Sequence, residues 1–158
     1  MEKIYTSLGL MSGTSGDGVD ASIIKSNGID QFEVIKDKFF EYDSHIYKNF
    51  HSLKDKIFYL NDLKKLSKDL IDLERKITLF NAKIIKEMNN SQKTIVGFHG
   101  QTIYHNSGEK ISKQLGDGRL LHQLTQKRII FNFRKNDLRN GGEGAPLASL
   151  FHQLISTQ

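Results

Sequence analysis

The sequence predicts an α/β fold whose mixed sheet opens on an antiparallel three-strand meander. Three observations predict it: strand-like runs on both sides of a glycine- and hydroxyl-rich turn, an Asn-Gly reversal after the second run, and a long central segment with helical apolar spacing. Ile4 to Met11, Val19 to Lys25 and Phe32 to Tyr42 are apolar or alternating runs rich in β-branched and aromatic residues, so each reads as a strand. Ser26-Asn27-Gly28 joins the second to the third, because Asn-Gly supplies the positive-φ positions of a tight reversal. Tyr47 to Leu60 reads as a weaker helix. Leu63, Leu66, Leu70, Leu73, Ile77, Phe80 and Ile84 then recur at alternating steps of three and four, which puts them on one narrow seam of a long helix. Asn61 or Asp62 is its expected cap and Asn89-Asn90 its expected stop. The seam is heptad-like, yet Phe80, Ile85 and Met88 and the strands on either side favour the chain's own sheet as its partner. Thr94 to His99 returns to strand character. Gln114-Leu115-Gly116-Asp117 reads as a turn into a short helix, Gly118 to Thr125, followed by a strand from Arg128 to Phe133. A glycine-rich loop, Asn140 to Pro146, opens a last helix from Leu147 to Ile155.

Composition narrows the function classes. A chain of 158 residues is long enough for one domain with a normal core. The absence of cysteine excludes a disulfide framework and any thiolate metal or redox site, and it fits a reducing compartment. The formal charge of +5 comes from lysines that are spread along the chain and alternate with acids, such as Lys64, Lys65, Lys68, Lys76, Lys83 and Lys86. That distribution describes a solvated face rather than a nucleic-acid surface. The N-terminus enters a strand-like run at once with no apolar signal core, and no apolar stretch approaches the ~20 residues of a membrane span. A cytoplasmic protein without membrane association is expected.

The chemistry is concentrated first in Met11 to Asp20. Gly13, Gly16 and Gly18 let the backbone approach a ligand closely, while successive N–H groups and the Ser12, Thr14 and Ser15 hydroxyls can converge on phosphoryl oxygens. Asp17 and Asp20 are suited to magnesium, which takes one or two carboxylates beside substrate phosphates. Gly16-Asp17-Gly18-Val19-Asp20-Ala21 also satisfies the spacing of a dinucleotide-binding turn, but that turn needs a helix to begin inside the glycines and Val19 to Ile24 reads as strand. No Gly-Lys-Ser/Thr follows at P-loop spacing. Three further clusters, His99-Gly100-Gln101-Thr102, Gln114 to Asp117, and Phe133 to Asp137 with Gly141 to Pro146, each set glycine beside amide or ionisable side chains, a composition that aims polar groups from compact loops.

The order of elements resembles one half of the actin, hexokinase and Hsp70 type of ATPase. That resemblance implies a ribonuclease H-like lobe with helices on both faces of the sheet and the first hairpin turn on ATP phosphates. The motifs together closely resemble the anhydro-N-acetylmuramic acid kinase family at Gly9 to Asp20, His99 to Thr102, Gln114 to Asp117, Phe133 to Asp137 and Gly141 to Pro146. The likeness implies an enzyme of cell-wall recycling that hydrolyses the 1,6-anhydro bond of its muramic sugar and phosphorylates O6 from ATP. In that frame Ser12, Gly13, Thr14, Ser15, Gly16, Asp17, Gly18, Val19 and Asp20 bind nucleotide and Mg2+, with Asp17 nearest the metal. His99, Gln101, Thr102 and Arg134 hold the sugar, and Asp137 is the catalytic base. Arg134 and His99 also have structural readings, Arg134 as an ion-pair partner of Glu143 or Asp137. Three positions depart from the family pattern: Gly16 stands for the usual leucine and is expected to loosen the turn, Gly118 follows Asp117 where proline is common, and Asn132 stands for aspartate.

The resemblance also implies that residues 1–158 form the N-terminal lobe of a two-lobe kinase, that a C-terminal lobe is needed for activity, and that a homodimer is permitted. The competing classes are a non-catalytic ribonuclease H-like fragment kept for binding or dimerisation, and a dinucleotide-dependent oxidoreductase.

Overall fold

Leu8, Leu10, Val19, Ala21 and Ile23 alternate with more exposed neighbours along the first two strands, so burying one side of each strand builds one face of a sheet. The computed structural model describes residues 3–88, 91, 93–145, 152 and 156. Strands β1 (Tyr5–Met11), β2 (Gly18–Ser26) and β3 (Phe32–Glu41) form the expected antiparallel meander. β4 (Ile95–Phe98) adds parallel to β1, and β7 (Arg128–Phe131) parallel to β4, giving a five-stranded sheet in the order β3-β2-β1-β4-β7. Because β2 is strand over Ala21–Lys25, no helix begins in the glycines and the dinucleotide reading is removed.

Helices α1 (Ser44–Lys54), α3 (Ser67–Met88) and α4 (Gly118–Thr125) bury Ile46, Phe50, Leu73, Ile77, Ile84, Ile85 and Leu121 in a single cluster with Leu8, Val19, Val96 and Phe98. Each helix is amphipathic and each lays its apolar stripe on that core. On the opposite face, Phe133 opens α5 (Phe133–Arg139) and lines a shallow groove with Gly9, Ile24, Val34, Gly97 and Ile130.

Several local expectations shift. The helix expected over Tyr47–Leu60 is α1, which starts earlier because Asp43 accepts the His45 and Ile46 N–H groups at 2.9 and 2.8 Å. The long central helix is broken at Leu66 into α2 (Leu60–Lys65) and α3. Asp62 still serves the α2 start, at its third position, accepting the Phe58 and Tyr59 N–H groups. The strand expected at Arg128–Phe133 ends at Phe131, because Asn132 adopts a left-handed conformation (φ 65°) and Phe133 begins a helix. A second hairpin, β5 (Gln101–Asn106) with β6 (Ile111–Leu115), was not legible in the sequence. The helix stop at Asn89-Asn90, Pro146 and all but His152 of the helix expected over Leu147–Ile155 lie outside the described residues.

Candidate functional site

Sheet register sets the floor of the site. Ser22, Gly9 and Gly97 are lateral neighbours on β2, β1 and β4, so three small residues lie in a row on the open face. A Cβ at Gly9 or Gly97 would meet nothing closer than 3.8 Å, so no neighbour forces glycine at either position. The missing side chains instead leave room for a cavity of about 740 Å3 lined by Ser12, Gly13, Thr14, Asp20, His99, Thr102, Arg134 and Gly144. Residues from three of the four sequence clusters thus meet in one place. Asp20 reaches it because it is two residues from Ser22 on the same strand and shares its face.

The turn between β1 and β2 is held from several sides. The Gly16 N–H donates to the Gly13 carbonyl at 3.2 Å, and the Tyr42 N–H to the Asp17 carbonyl at 2.8 Å. Lys54 at the end of α1 donates to the Thr14 carbonyl at 2.6 Å, and Gln101 Nε2 to the Gly13 carbonyl at 2.8 Å. Among the described residues, the N–H groups of Gly13, Thr14, Ser15 and Asp17 have no partner. A turn whose Gly13, Thr14 and Asp17 carbonyls are occupied while four of its N–H groups are free presents positive partial charge, which is what an anion-binding nest requires. Val19 contributes its side chain to the core instead.

Gly16 does not loosen this turn. Its φ is +68°, and a Cβ there would lie 2.1 Å from Cε1 of the buried Phe50 ring, so the ring occupies the space of the missing side chain. Gly16→Leu is therefore expected to lower stability by about 2–4 kcal/mol, from left-handed strain plus overpacking. Urea unfolding measures it, and adding Phe50→Ala should recover part of the loss. A leucine variant as stable as the parent would show that Phe50 yields freely.

Gln101 is fully buried and both ends of its amide are engaged, Nε2 on Gly13 and Oε1 accepting from the Tyr42 hydroxyl at 3.3 Å. It supports the turn rather than facing the cavity. Tyr42 also bonds the Ser12 hydroxyl at 3.3 Å, and burial above all pushes its phenol up to about 12. Neither Tyr42 nor Lys54 was singled out from the sequence. A tyrosine just after a strand and a lysine at a helix end carry no local sign of where they will point.

His99 and Arg134 build the opposite wall with Gly144, whereas Asp137 stands behind Gly144 and does not line the cavity. Arg134 Nε donates to His99 Nε2 at 2.7 Å, and Nη1 to the Gly144 carbonyl at 2.9 Å. Arginine always donates, so His99 Nε2 is the unprotonated nitrogen and Nδ1–H donates to the Gly100 carbonyl at 2.8 Å. Burial, with a smaller contribution from the Arg134 charge, holds the His99 imidazole below its usual range, so it stays neutral at pH 7. Arg134 forms no ion pair with Asp137 or Glu143 among the described residues. Asp137 Oδ2 accepts the Gly144 N–H at 2.7 Å, while Oδ1 has no hydrogen bond among the described residues. A Cβ on Gly142 would fall 2.2 Å from Oδ2, so the glycine loop can wrap the carboxylate only without a side chain there.

The Gln114–Asp117 cluster is not brought to the cavity. Glu74 and Thr78 of α3 accept the Gly116 and Asp117 N–H groups at 3.2 and 2.9 Å, and Asp117 caps α4 through Arg119 and Leu120. Its role in the fold is to join the hairpin to the helical layer. Among the described residues no three carboxylate or imidazole side chains converge as a metal cage. Magnesium needs none, because it takes one or two carboxylates with substrate oxygens and water, and Asp20 on the cavity wall fits that donor set. No helix among the described residues is long and apolar enough to cross a membrane.

Comparison with known proteins assigns the chain to a family. The family model described as anhydro-N-acetylmuramic acid kinase matches residues 5–158. The chain is 60% identical over its whole length to the anhydro-N-acetylmuramic acid kinase of Pelagibacter ubique (strain HTCC1062), covering 43% of that protein. It is 34% identical to the Gluconobacter oxydans (strain 621H) enzyme of the same name over 96% of the chain and 42% of the relative. The Prochlorococcus marinus (strain NATL1A) relative is 37% identical over 94% of the chain and 40% of its own length. The chain therefore spans less than half the length of these curated relatives. With a model match over almost all of its residues, the chain belongs to the anhydro-N-acetylmuramic acid kinase family.

Proposed function

We propose that residues 1–158 are the N-terminal ribonuclease H-like lobe of a two-lobe, ATP-dependent kinase. The complete enzyme hydrolyses the 1,6-anhydro bond of 1,6-anhydro-N-acetylmuramic acid and phosphorylates O6, giving N-acetylmuramic acid 6-phosphate. The observation that carries this reading is the Gly13–Asp17 turn with its free N–H groups, of which Gly13 and Thr14 border a cavity floored by small residues and walled by Arg134 and His99.

Roles follow from the geometry. The free N–H groups of the turn hold phosphoryl oxygens, and Gly16 and Gly18 let the turn pack closely against Phe50 and against Phe39 and Phe40 beneath it. Bound Mg2+ supplies charge neutralisation on the phosphates, with Asp17 and Asp20 as the carboxylates nearest it. Arg134 binds the lactyl carboxylate of the sugar through N–H donors not used on His99 and Gly144, since its planar fork suits two oxygens at once. His99 locks that fork, Thr102 offers a hydroxyl at the wall, and Gln101 acts through Gly13. Asp137 is the base that takes a proton from the water attacking C1, as the set-back carboxylate does in inverting glycosidases.

Nucleotide titration of the purified chain tests the phosphate site. Magnesium-dependent binding of ATP or ADP is expected, weakened about tenfold by Asp17→Ala, which corresponds to loss of one charge contact worth about 1.4 kcal/mol. Tighter binding of NAD than of ATP would overturn the reading.

A further inference from the structure

The turn has three hydroxyls, and the hydrogen bonds beneath it sort them. Gln101 Nε2 lies 2.8 Å from the Gly13 carbonyl, which can only accept, so the nitrogen end of that amide is fixed toward Gly13 and the oxygen end toward Tyr42. The Tyr42 hydroxyl must then donate to Gln101 Oε1. Its one proton is spent, so in its contact with Ser12 it accepts, and Ser12 donates. Ser12, Tyr42 and Gln101 are 7%, 4% and 0% exposed, so each depends on these partners rather than on solvent. Ser15 is sorted in the same way, because its hydroxyl donates to Asp17 Oδ1 at 2.8 Å. Thr14, exposed at the tip and lining the cavity, has no side-chain partner among the described residues.

We propose that the turn divides its hydroxyls by polarity: Thr14 donates to phosphoryl oxygens together with the backbone N–H groups, whereas Ser12, with its proton held by Tyr42, offers lone pairs only and accepts from the water shell of magnesium. Tyr42 is the positioning residue of this arrangement. It touches no ligand, and it acts by fixing which way the Ser12 hydroxyl points. Asp20, on the same cavity wall, supplies the carboxylate that such a hydrated cation requires. The inference rests on the nucleotide-binding reading above and assigns the chemistry within that site.

The test is ATP affinity of the purified 158-residue chain, measured by calorimetry with Mg2+ and again in EDTA, for the parent and for Thr14→Val, Ser12→Ala, Tyr42→Phe and the Tyr42→Phe/Ser12→Ala pair. Thr14→Val should weaken ATP about tenfold under both conditions. Ser12→Ala should leave ATP in EDTA within twofold of the parent and cut the advantage conferred by Mg2+ about tenfold. Tyr42→Phe frees the Ser12 proton to turn outward, so ATP binding in EDTA should tighten several-fold, and adding Ser12→Ala should erase the gain. A mere loss of structure cannot produce that gain. Ser12→Ala weakening ATP equally with and without Mg2+, or changing neither, would overturn the proposal whatever the tyrosine variant does. A parent chain that binds no nucleotide would instead remove the reading on which it rests.

Discussion

Asp137→Asn in a complete enzyme carrying this lobe, such as a fusion of residues 1–158 to the remaining part of the Pelagibacter relative, is expected to lower turnover by about 10²-fold to 10⁴-fold while ATP binding survives. The amide is nearly isosteric, so Oδ1 can still accept the Gly144 N–H that fixes the loop in the parent, and the glycine wrap stays intact. What is lost is basicity, and a positioned general base contributes a factor of that size. ATP affinity should hold because the phosphate turn is fixed by Lys54, Gln101 and Tyr42, none of which contacts Asp137. Steady-state kinetics with 1,6-anhydro-N-acetylmuramic acid, combined with nucleotide titration of the same variant, separate the two effects. Turnover within a few-fold of the parent would take Asp137 out of this role.

Residues 1–158 alone should show no meaningful kinase activity, and supplying the rest of a family member should restore it. Phosphoryl transfer rests almost wholly on positioning and electrostatic stabilisation. Here the cavity is walled by the β1–β2 turn on one side and by Arg134, His99 and Gly144 on the other. Placing reactants can contribute roughly 7–11 kcal/mol of a barrier. A site whose nucleotide stays open to water forgoes much of that and loses charge stabilisation as well. The assay is product formation from ATP, Mg2+ and the anhydro sugar, by the chain alone and with a C-terminal half added. Robust turnover by the chain alone would show that these residues complete the site unaided.

Much of this architecture was legible in the sequence because it is encoded locally. The meander follows from alternation and the Asn27-Gly28 reversal, and α4 occupies Gly118–Thr125 as expected because Asp117 caps it from the adjacent residue. The β1–β2 turn, His99, Arg134 and Asp137 could be picked out by composition because glycine beside polar side chains is itself a local signal. Less legible were α5 and the β5–β6 hairpin. Phe133–Arg139 lacks an apolar stripe to mark it as helix, and the buried run Gln101–Tyr104 pairs only with residues made available by the register of β6.

By itself, the sequence determined the α/β order of elements and the family, and it singled out the residues proposed to carry the chemistry. It could do so because periodicity, caps and turn residues act over a few positions. Tertiary structure alone decided what those residues do to one another. Ser12 meets Tyr42 across 30 positions, Tyr42 meets Gln101 across 59, and Gln101 meets Gly13 across 88. Those meetings depend on the pairing of β1 with β2 and β4 and on where β3 releases Tyr42 into the core. Which hydroxyl gives its proton and which keeps its lone pairs is therefore a property of the folded sheet, because a proton's direction is fixed only when both of its neighbours are in place.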